Sequence, residues 1–238
     1  MTALVVTGTG TGVGKTTVAA AVACLAAAAG SRVAVVKPAQ TGEPDGGGGD
    51  VAEVLRRVPT ATGVELVRYP DPLSPAAAAR RSGRPALTLA GCLAAIEQAR
   101  RSADLVLVEG AGGLLVDYDE DGLTIAAVAA AADLPVLLVT AAGLGTLNAT
   151  ALTVEAMAHR SLRLAGLVVG AWPAEPDLAM RCNISDLERI TGQPLAGALR
   201  GDAAALHDDE FLLAARSGIG PGLGGEFDAA AFGQAMRP

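Results

Sequence analysis

The sequence predicts a single-domain α/β fold in which a mostly parallel sheet is flanked by helices. Three observations predict it. Strand-length apolar runs alternate with longer helical stretches along the chain. The apolar runs are rich in Val and Leu and lack period-two alternation, as expected where helices cover both faces of a parallel sheet. A glycine-rich turn, Gly8 to Thr17 (GTGTGVGKTT), joins the first such run to the first helical stretch.

In chain order, the first strand is expected over Ala3 to Thr7, followed by an alanine-rich helix from Lys15 to Ala29. A second strand, Arg32 to Lys37, leads into Pro38 to Gly49, whose glycine run from Gly46 reads as an irregular loop. A helix from Asp50 to Val58 and a strand from Val64 to Tyr69 come next. A helix over Leu89 to Arg101 precedes a strand from Asp104 to Glu109, which ends in a Gly110 to Gly113 loop. Helices over Leu123 to Ala131, Leu147 to His159 and Asp177 to Ile190 then alternate with strands over Pro135 to Thr140, Leu164 to Gly170 and Leu195 to Leu199. Such alternation implies right-handed crossovers. The glycine-rich stretch Ser217 to Gly225 is expected to be poorly ordered, within a tail spanning 218–238. No repeat and no linker divides the 238 residues, so one domain is expected over 1–238.

Composition narrows the class. Half of the residues are hydrophobic (51%) but only 3% are aromatic, so the core must be built from Ala, Val and Leu. The longest apolar run, Val18 to Ala29, falls short of the ~20 residues a spanning helix needs. No signal-peptide pattern opens the chain. A net charge of −7 without a polybasic tract argues against nucleic acid or an anionic membrane as partner. Three dispersed cysteines suggest neither a disulfide framework nor a metal cluster, and a cytoplasmic location is expected.

The turn carries the chemistry. Glycines between a strand and a helix let backbone N–H groups turn inward around phosphate oxygens, with the helix N-terminus adding partial positive charge. Gly12, Val13 and Gly14 supply that backbone, Lys15 the charge for the outer phosphates, and Thr16 a hydroxyl for magnesium, with Thr17 following. Gly8 stands one residue earlier than a strict phosphate-loop string requires, so the loop is one residue longer. A dinucleotide fingerprint fails: Val13 and Lys15 occupy glycine positions, and the second strand ends in Lys37 rather than an acidic residue. The fold expected is therefore P-loop NTPase-like, binding a nucleoside triphosphate and Mg2+. Lysine occurs only at Lys15 and Lys37, every other basic residue being Arg, which suggests that both lysines serve the same phosphate. Glu109, at a strand end before glycines, and Asp50, at a helix start where N-capping is its alternative role, are the magnesium candidates. The Asp117 to Asp121 acidic run reads as a solvated turn.

The blocks VTGTGTGVGKT, KPAQTG, GGDVAEVLR, YPDPLSPAAAA, VEGAGGLLV and LGTLNATALT together resemble the dethiobiotin synthetase family, in the family's order over about 170 residues. The resemblance implies ATP-dependent closure of a ureido ring on 7,8-diaminononanoate with CO2 or bicarbonate, through a carbamate and a carbamic–phosphoric anhydride. It implies that Thr16, Asp50 and Glu109 ligate magnesium and that Gly110, Ala111 and Gly112 approach the nucleotide. Lys37 would stabilise the carbamate and the transferring phosphoryl, Thr11 would place the substrate amine, and Thr41 would contact the diamine end. Gly145, Thr146, Leu147 and Asn148 would receive the substrate carboxylate at a helix start, across a homodimer interface; an ordinary helix start capped by Thr146 is the alternative.

Two departures stand out. Where the family often carries Asn-Arg after the sixth strand, this chain has Gly170-Ala171-Trp172, and Arg200 replaces a proline common in the nucleotide loop. With no carboxamide beside Gly170 and Ala171 to read the base, relaxed nucleotide selectivity is expected. The alternatives are an amide-forming synthetase of the cobyrinic acid type and a ParA- or MinD-like nucleotide switch. The first usually carries a glutamine-hydrolysing domain, whereas the region past the sixth strand offers only Cys182 and His207. The second usually has a lysine early in the loop, where this chain has Gly10.

Overall fold

The computed structural model describes residues 2–237. Seven strands form one parallel sheet: β1 (Thr2–Gly8), β2 (Val33–Thr41), β3 (Thr62–Tyr69), β4 (Leu105–Gly113), β5 (Val136–Thr140), β6 (Leu164–Trp172) and β7 (Gly197–Arg200), in the order β3-β2-β4-β1-β5-β6-β7. The helices between them are α1 (Lys15–Ala28), α2 (Asp50–Arg57), α3 (Pro75–Ser82), α4 (Leu89–Ser102), α5 (Ile125–Ala131), α6 (Thr146–His159), α7 (Leu178–Thr191), α8 (Asp208–Gly218) and α9 (Ala229–Ala235). Helices α3, α8 and α9 were not anticipated from the sequence.

The continuous apolar runs are explained by two core layers, one on each face of the sheet. Along β1, Leu4 and Val6 face one layer while Ala3 and Val5 face the other. Likewise Leu105 and Leu107 oppose Val106 and Val108 on β4, and Leu137 and Val139 oppose Val136 and Leu138 on β5. Helix α1 lies in the first layer with α2 and α8, and its Ala19 to Ala23 segment is buried. Alanines let α1 approach its neighbours closely, and burial all round explains its near-uniform apolarity without a membrane. Among the described residues no helix is long and apolar enough to cross one. Cys24 and Cys92 are buried free thiols, Cys182 an exposed one.

Two segments differ from the sequence expectation. Pro38 to Thr41 is not loop but the continuation of β2, pairing with β3 through Thr41 and Tyr69. The β2–β4 ladder ends at Val36 and Val108, so Pro38 sits beyond the point where its missing N–H would matter. Gly110 to Gly113 is likewise part of β4 rather than a loop after it.

The glycine-rich stretch 217–225 packs on the sheet. Ile219 bridges Gly197, and the N–H of Gly220 donates to the Ala196 carbonyl at 2.8 Å. A Cβ on Gly225 would meet the Ile219 carbonyl oxygen at 2.0 Å, so the glycine permits backbone-to-backbone packing there. Helix α9 continues over β6, where Phe232 meets the Trp172 ring edge-on with centroids 5.1 Å apart.

Candidate active site

The C-terminal ends of β1, β2 and β4 deliver the site, the edge at which open α/β sheets bind ligands. Residues 9–14 connect β1 to α1, with Gly12 and Gly14 at φ of 75° and 96°. A Cβ on Gly170 of β6 would meet the Val13 carbonyl oxygen at 2.0 Å. Gly170 therefore lies directly under the loop, and its missing side chain is what lets the loop settle on β6. Ala171 beside it is exposed.

The loop, β2 and β4 enclose a cavity of about 450 Å³. Thr11, Gly12, Gly14, Lys15, Thr16 and Thr17 line it from the loop, Lys37 and Thr41 from β2, and Asp50 from α2. Glu109, Gly110, Ala111 and Gly112 line it from β4. Val13 turns instead toward the hydrophobic layer around α1. Gly145, Thr146, Leu147 and Asn148, at the start of α6, do not line this cavity.

Charge organises the interior. The two lysines of the chain both reach this cavity, Lys15 8% exposed and Lys37 3%. Lys37 Nζ donates to Glu109 Oε1 at 3.0 Å and to the Gly110 carbonyl at 3.1 Å, and forms an ion pair with Asp50. An ammonium has three N–H donors, so this set is complete. Burial works against the charge on Lys37, but Glu109 and Asp50 outweigh it and push the pKa above its ordinary value. Lys15 is shifted down, by burial first and by Lys37 second, and its Nζ donates to the Gly10 carbonyl at 2.9 Å. Asp50 is held below the usual carboxylate range because Lys37 overcomes the effect of burial. Burial pushes Glu109 up.

Glu109 has no exposed area, and Thr16 Oγ1 donates to its Oε1 at 2.8 Å. Its Oε2 is one of three buried side-chain polar atoms without a hydrogen-bond partner among the described residues. A buried, unpartnered carboxylate oxygen is costly unless a cation meets it. Two carboxylates and a threonine hydroxyl are hard oxygen donors of the kind that suit magnesium. Among the described residues no cluster of three or more His, Cys, Asp or Glu could by itself hold a metal.

Sequence reasoning assigned no role to Gln40. Its Oε1 accepts the Asp50 N–H at 3.0 Å and so satisfies one of the free donors opening α2. The N-cap position is held by Gly49, which has no side chain to offer, and Asp50 pairs with Lys37 instead of taking the capping role considered for it. The preceding loop is pinned by Arg68, which donates to the Pro44 and Gly47 carbonyls at 3.2 Å each, and by Arg84, which pairs with Asp45.

At the start of α6, Gly145 is the cap in a left-handed conformation and Thr146 is the first helical residue. Thr146 does not cap: its hydroxyl donates to the Ala141 carbonyl at 2.6 Å and lies 2.7 Å from Thr140 Oγ1. That fixes the proton order in the threonine cluster. Thr140 must donate to Thr146, leaving its lone pairs for the hydroxyls of Thr150 at 2.9 Å and Thr9 at 3.2 Å. A hydroxyl chain thus ties the phosphate loop to the start of α6.

The chain is similar to known proteins along nearly its whole length. A family model described as an AAA domain matches residues 2–203. The ATP-dependent dethiobiotin synthetase of Frankia casuarinae is 60% identical over 233 residues, 98% of each chain. That of Streptomyces coelicolor is 52% identical over 238 residues, covering all of both chains. Among solved structures, the septum site-determining protein MinD complexed with Mg-ADP from Pyrococcus horikoshii superposes with a TM-score of 0.53. It is 13% identical, and the match covers 89% of this chain and 86% of that one, a likeness of fold alone. Identity at this level along the whole length, with the two lysines and two carboxylates meeting in one cavity, shows that the chain belongs to the dethiobiotin synthetase family.

Proposed function

We propose that the protein is a dethiobiotin synthetase, a cyclo-ligase that uses a nucleoside triphosphate to close a ureido ring on 7,8-diaminononanoate with CO2. The observation that carries this reading is the convergence of Lys15, Lys37, Asp50 and Glu109 on one cavity beside the phosphate loop.

One substrate amine adds to CO2, drawn from bicarbonate, and loses a proton to become a carbamate. A carbamate oxygen attacks the γ-phosphorus as the bond to the β-bridging oxygen breaks, giving the anhydride and the nucleoside diphosphate. The second amine attacks the carbamate carbon, and phosphate leaves with the oxygen that joined them. The residues contribute mainly position and charge. Lys15 and the loop N–H groups from Gly12 to Thr17 hold the outer phosphates, while Gly110, Ala111 and Gly112 offer backbone close to them. Thr16, Asp50 and Glu109 would hold magnesium, which supplies positive charge to the phosphate oxygens. Lys37 offsets charge on the carbamate and the transferring phosphoryl. Thr11 places the reacting amine, and Thr41 contacts the diamine.

The substrate carboxylate is received by the α6 start, Gly145 to Asn148, of a partner copy in a homodimer. Two features support this. The N–H groups of Leu147 and Asn148 fall in the first turn of α6, where no intrahelical carbonyl is available. Leu144 and Leu152, 87% and 58% exposed, present apolar surface on and beside the same helix. Activity is expected to fall on dilution as sedimentation reports monomer; a fully active monomer contradicts the shared site. The enzyme is read as cytoplasmic, without nucleic acid or membrane as partner.

Base selectivity is expected to be relaxed. The residues directly after Gly170 carry no side-chain amide: Ala171 is exposed and Trp172 packs on Phe232, while Arg200 pairs with Asp202 at 2.7 Å. Diaminononanoate, bicarbonate and magnesium should yield dethiobiotin, detected by mass, with ATP, CTP, GTP and UTP at comparable turnover. A strong ATP preference sinks the selectivity claim; no product with any triphosphate sinks the function.

A further inference from the structure

The backbone of β4 leaves its ladder at the site. Glu109 pairs with Val6 of β1, but the next registered pair is Gly113 with Gly8, and pairing with β2 has already ended at Val108. Gly110, Ala111 and Gly112 therefore bulge out between two strands, and their polar groups need other partners. The peptide unit joining Gly110 to Ala111 finds one at each end. Its carbonyl accepts from Lys37 Nζ at 3.1 Å, and its N–H donates to the Tyr118 hydroxyl at 3.0 Å.

Tyr118 is well placed to hold that peptide. Its side chain has no exposed area and sits in the second core layer with Cys92 and Ile125. Its own N–H donates to the Leu123 carbonyl at 2.7 Å, and the neighbouring Asp117 bridges Thr124, closing the turn on itself. The phenol is thus carried by packed core and not by the acidic surface around it. One hydroxyl orients a peptide plane, and the opposite end of that plane takes one of the three bonds that aim the Lys37 ammonium.

We propose that Tyr118 is a positioning residue for phosphoryl transfer, acting through the Gly110–Ala111 peptide to aim Lys37 and to hold the β4 bulge that follows Glu109. The proposal rests on the synthetase reading for the role of Lys37, but the geometry it tests is independent of substrate. Tyr118→Phe removes a single oxygen and keeps the ring. It is expected to lower kcat by about tenfold, the loss of one buried hydrogen bond, with KM values within about twofold.

The chain supplies an independent readout, because it contains only two lysines. Protein labelled with 15N at lysine Nζ has only those two side-chain ammonium signals, from Lys15 and Lys37. Tyr118→Phe should move the Lys37 signal and leave that of Lys15 in place. A purely structural tyrosine would lower Tm without moving the Lys37 signal or kcat, and that result overturns the proposal. A fall in kcat with an unmoved Lys37 signal overturns it as well. If the variant does not fold, amide exchange in the wild-type protein decides: Ala111 protected as a core amide supports the bond, and rapid exchange overturns it. If wild-type protein forms no dethiobiotin, the functional reading fails, and the Lys37 signal alone decides whether Tyr118 aims the ammonium.

Discussion

Replacing Lys37 by Ala is expected to lower turnover by about 10³-fold or more while triphosphate affinity changes by less than about threefold. The asymmetry follows from what Lys37 touches. Its ammonium meets Glu109, Asp50 and the Gly110 carbonyl, and none of its bonds goes to the phosphate loop. In the proposed mechanism the outer phosphates are anchored by Lys15, which opens α1 at the end of that loop. The variant also leaves two carboxylates facing each other without their buried counter-charge. Loss of one partner from a buried pair costs about 3–5 kcal/mol, so Tm should fall clearly, and magnesium, which Asp50 and Glu109 would hold, should recover part of it. Titration calorimetry with a non-hydrolysable triphosphate checks the binding half. A collapse of nucleotide affinity would make Lys37 a phosphate anchor rather than a catalytic cation.

Glu109→Gln should lower turnover by about 10²- to 10³-fold, and here magnesium is the quantity that moves. The substitution keeps shape and volume but removes the negative charge from a fully buried position whose Oε2 has no protein partner. The Thr16 hydroxyl retains an acceptor in the carboxamide, so the fold should tolerate the change. The half-saturating magnesium concentration for turnover is expected to rise by about tenfold or more, with little change in triphosphate binding without metal. Manganese titrated in place of magnesium and followed by electron paramagnetic resonance reads this directly. Unchanged metal affinity would leave Glu109 a structural partner of Lys37 only.

Much of this site was legible in the sequence because its parts are chemically exceptional. Two lysines in a chain that otherwise uses arginine stand out, and both line the cavity. Glu109 and Asp50, read from the sequence at a strand end and a helix start, both line the cavity, although β4 runs past Glu109 to Gly113. Pro38 to Thr41 and Gly110 to Gly113 were misread because Pro and Gly signal loops locally, whereas here the neighbouring strands decide. Pro38 lies past the end of one ladder, and the glycines form a bulge that is still part of the strand. Helix α8 did carry a signal: Asp208, Asp209 and Glu210 in the first turn, then Phe211, Ala214, Ala215 and Gly218 on one face. Helix α3 is Ala-rich after Pro75 and has no strong apolar stripe to mark it. Gln40 and Tyr118 could not be read at all. Each acts through a hydrogen bond to backbone that tertiary folding brings to it, and Tyr118 hides inside an acidic stretch that looks like a solvated turn.

The most direct test of the central claim follows oxygen. With 18O-labelled bicarbonate, diaminononanoate, magnesium and ATP, the carbamate carries two labelled oxygens, one of which joins the γ-phosphorus. The released phosphate should then contain one labelled oxygen and the ureido carbonyl of dethiobiotin the other, both read by mass. Dethiobiotin formed alongside unlabelled phosphate would contradict transfer to the carbamate, and phosphate released with no dethiobiotin at all would contradict the function.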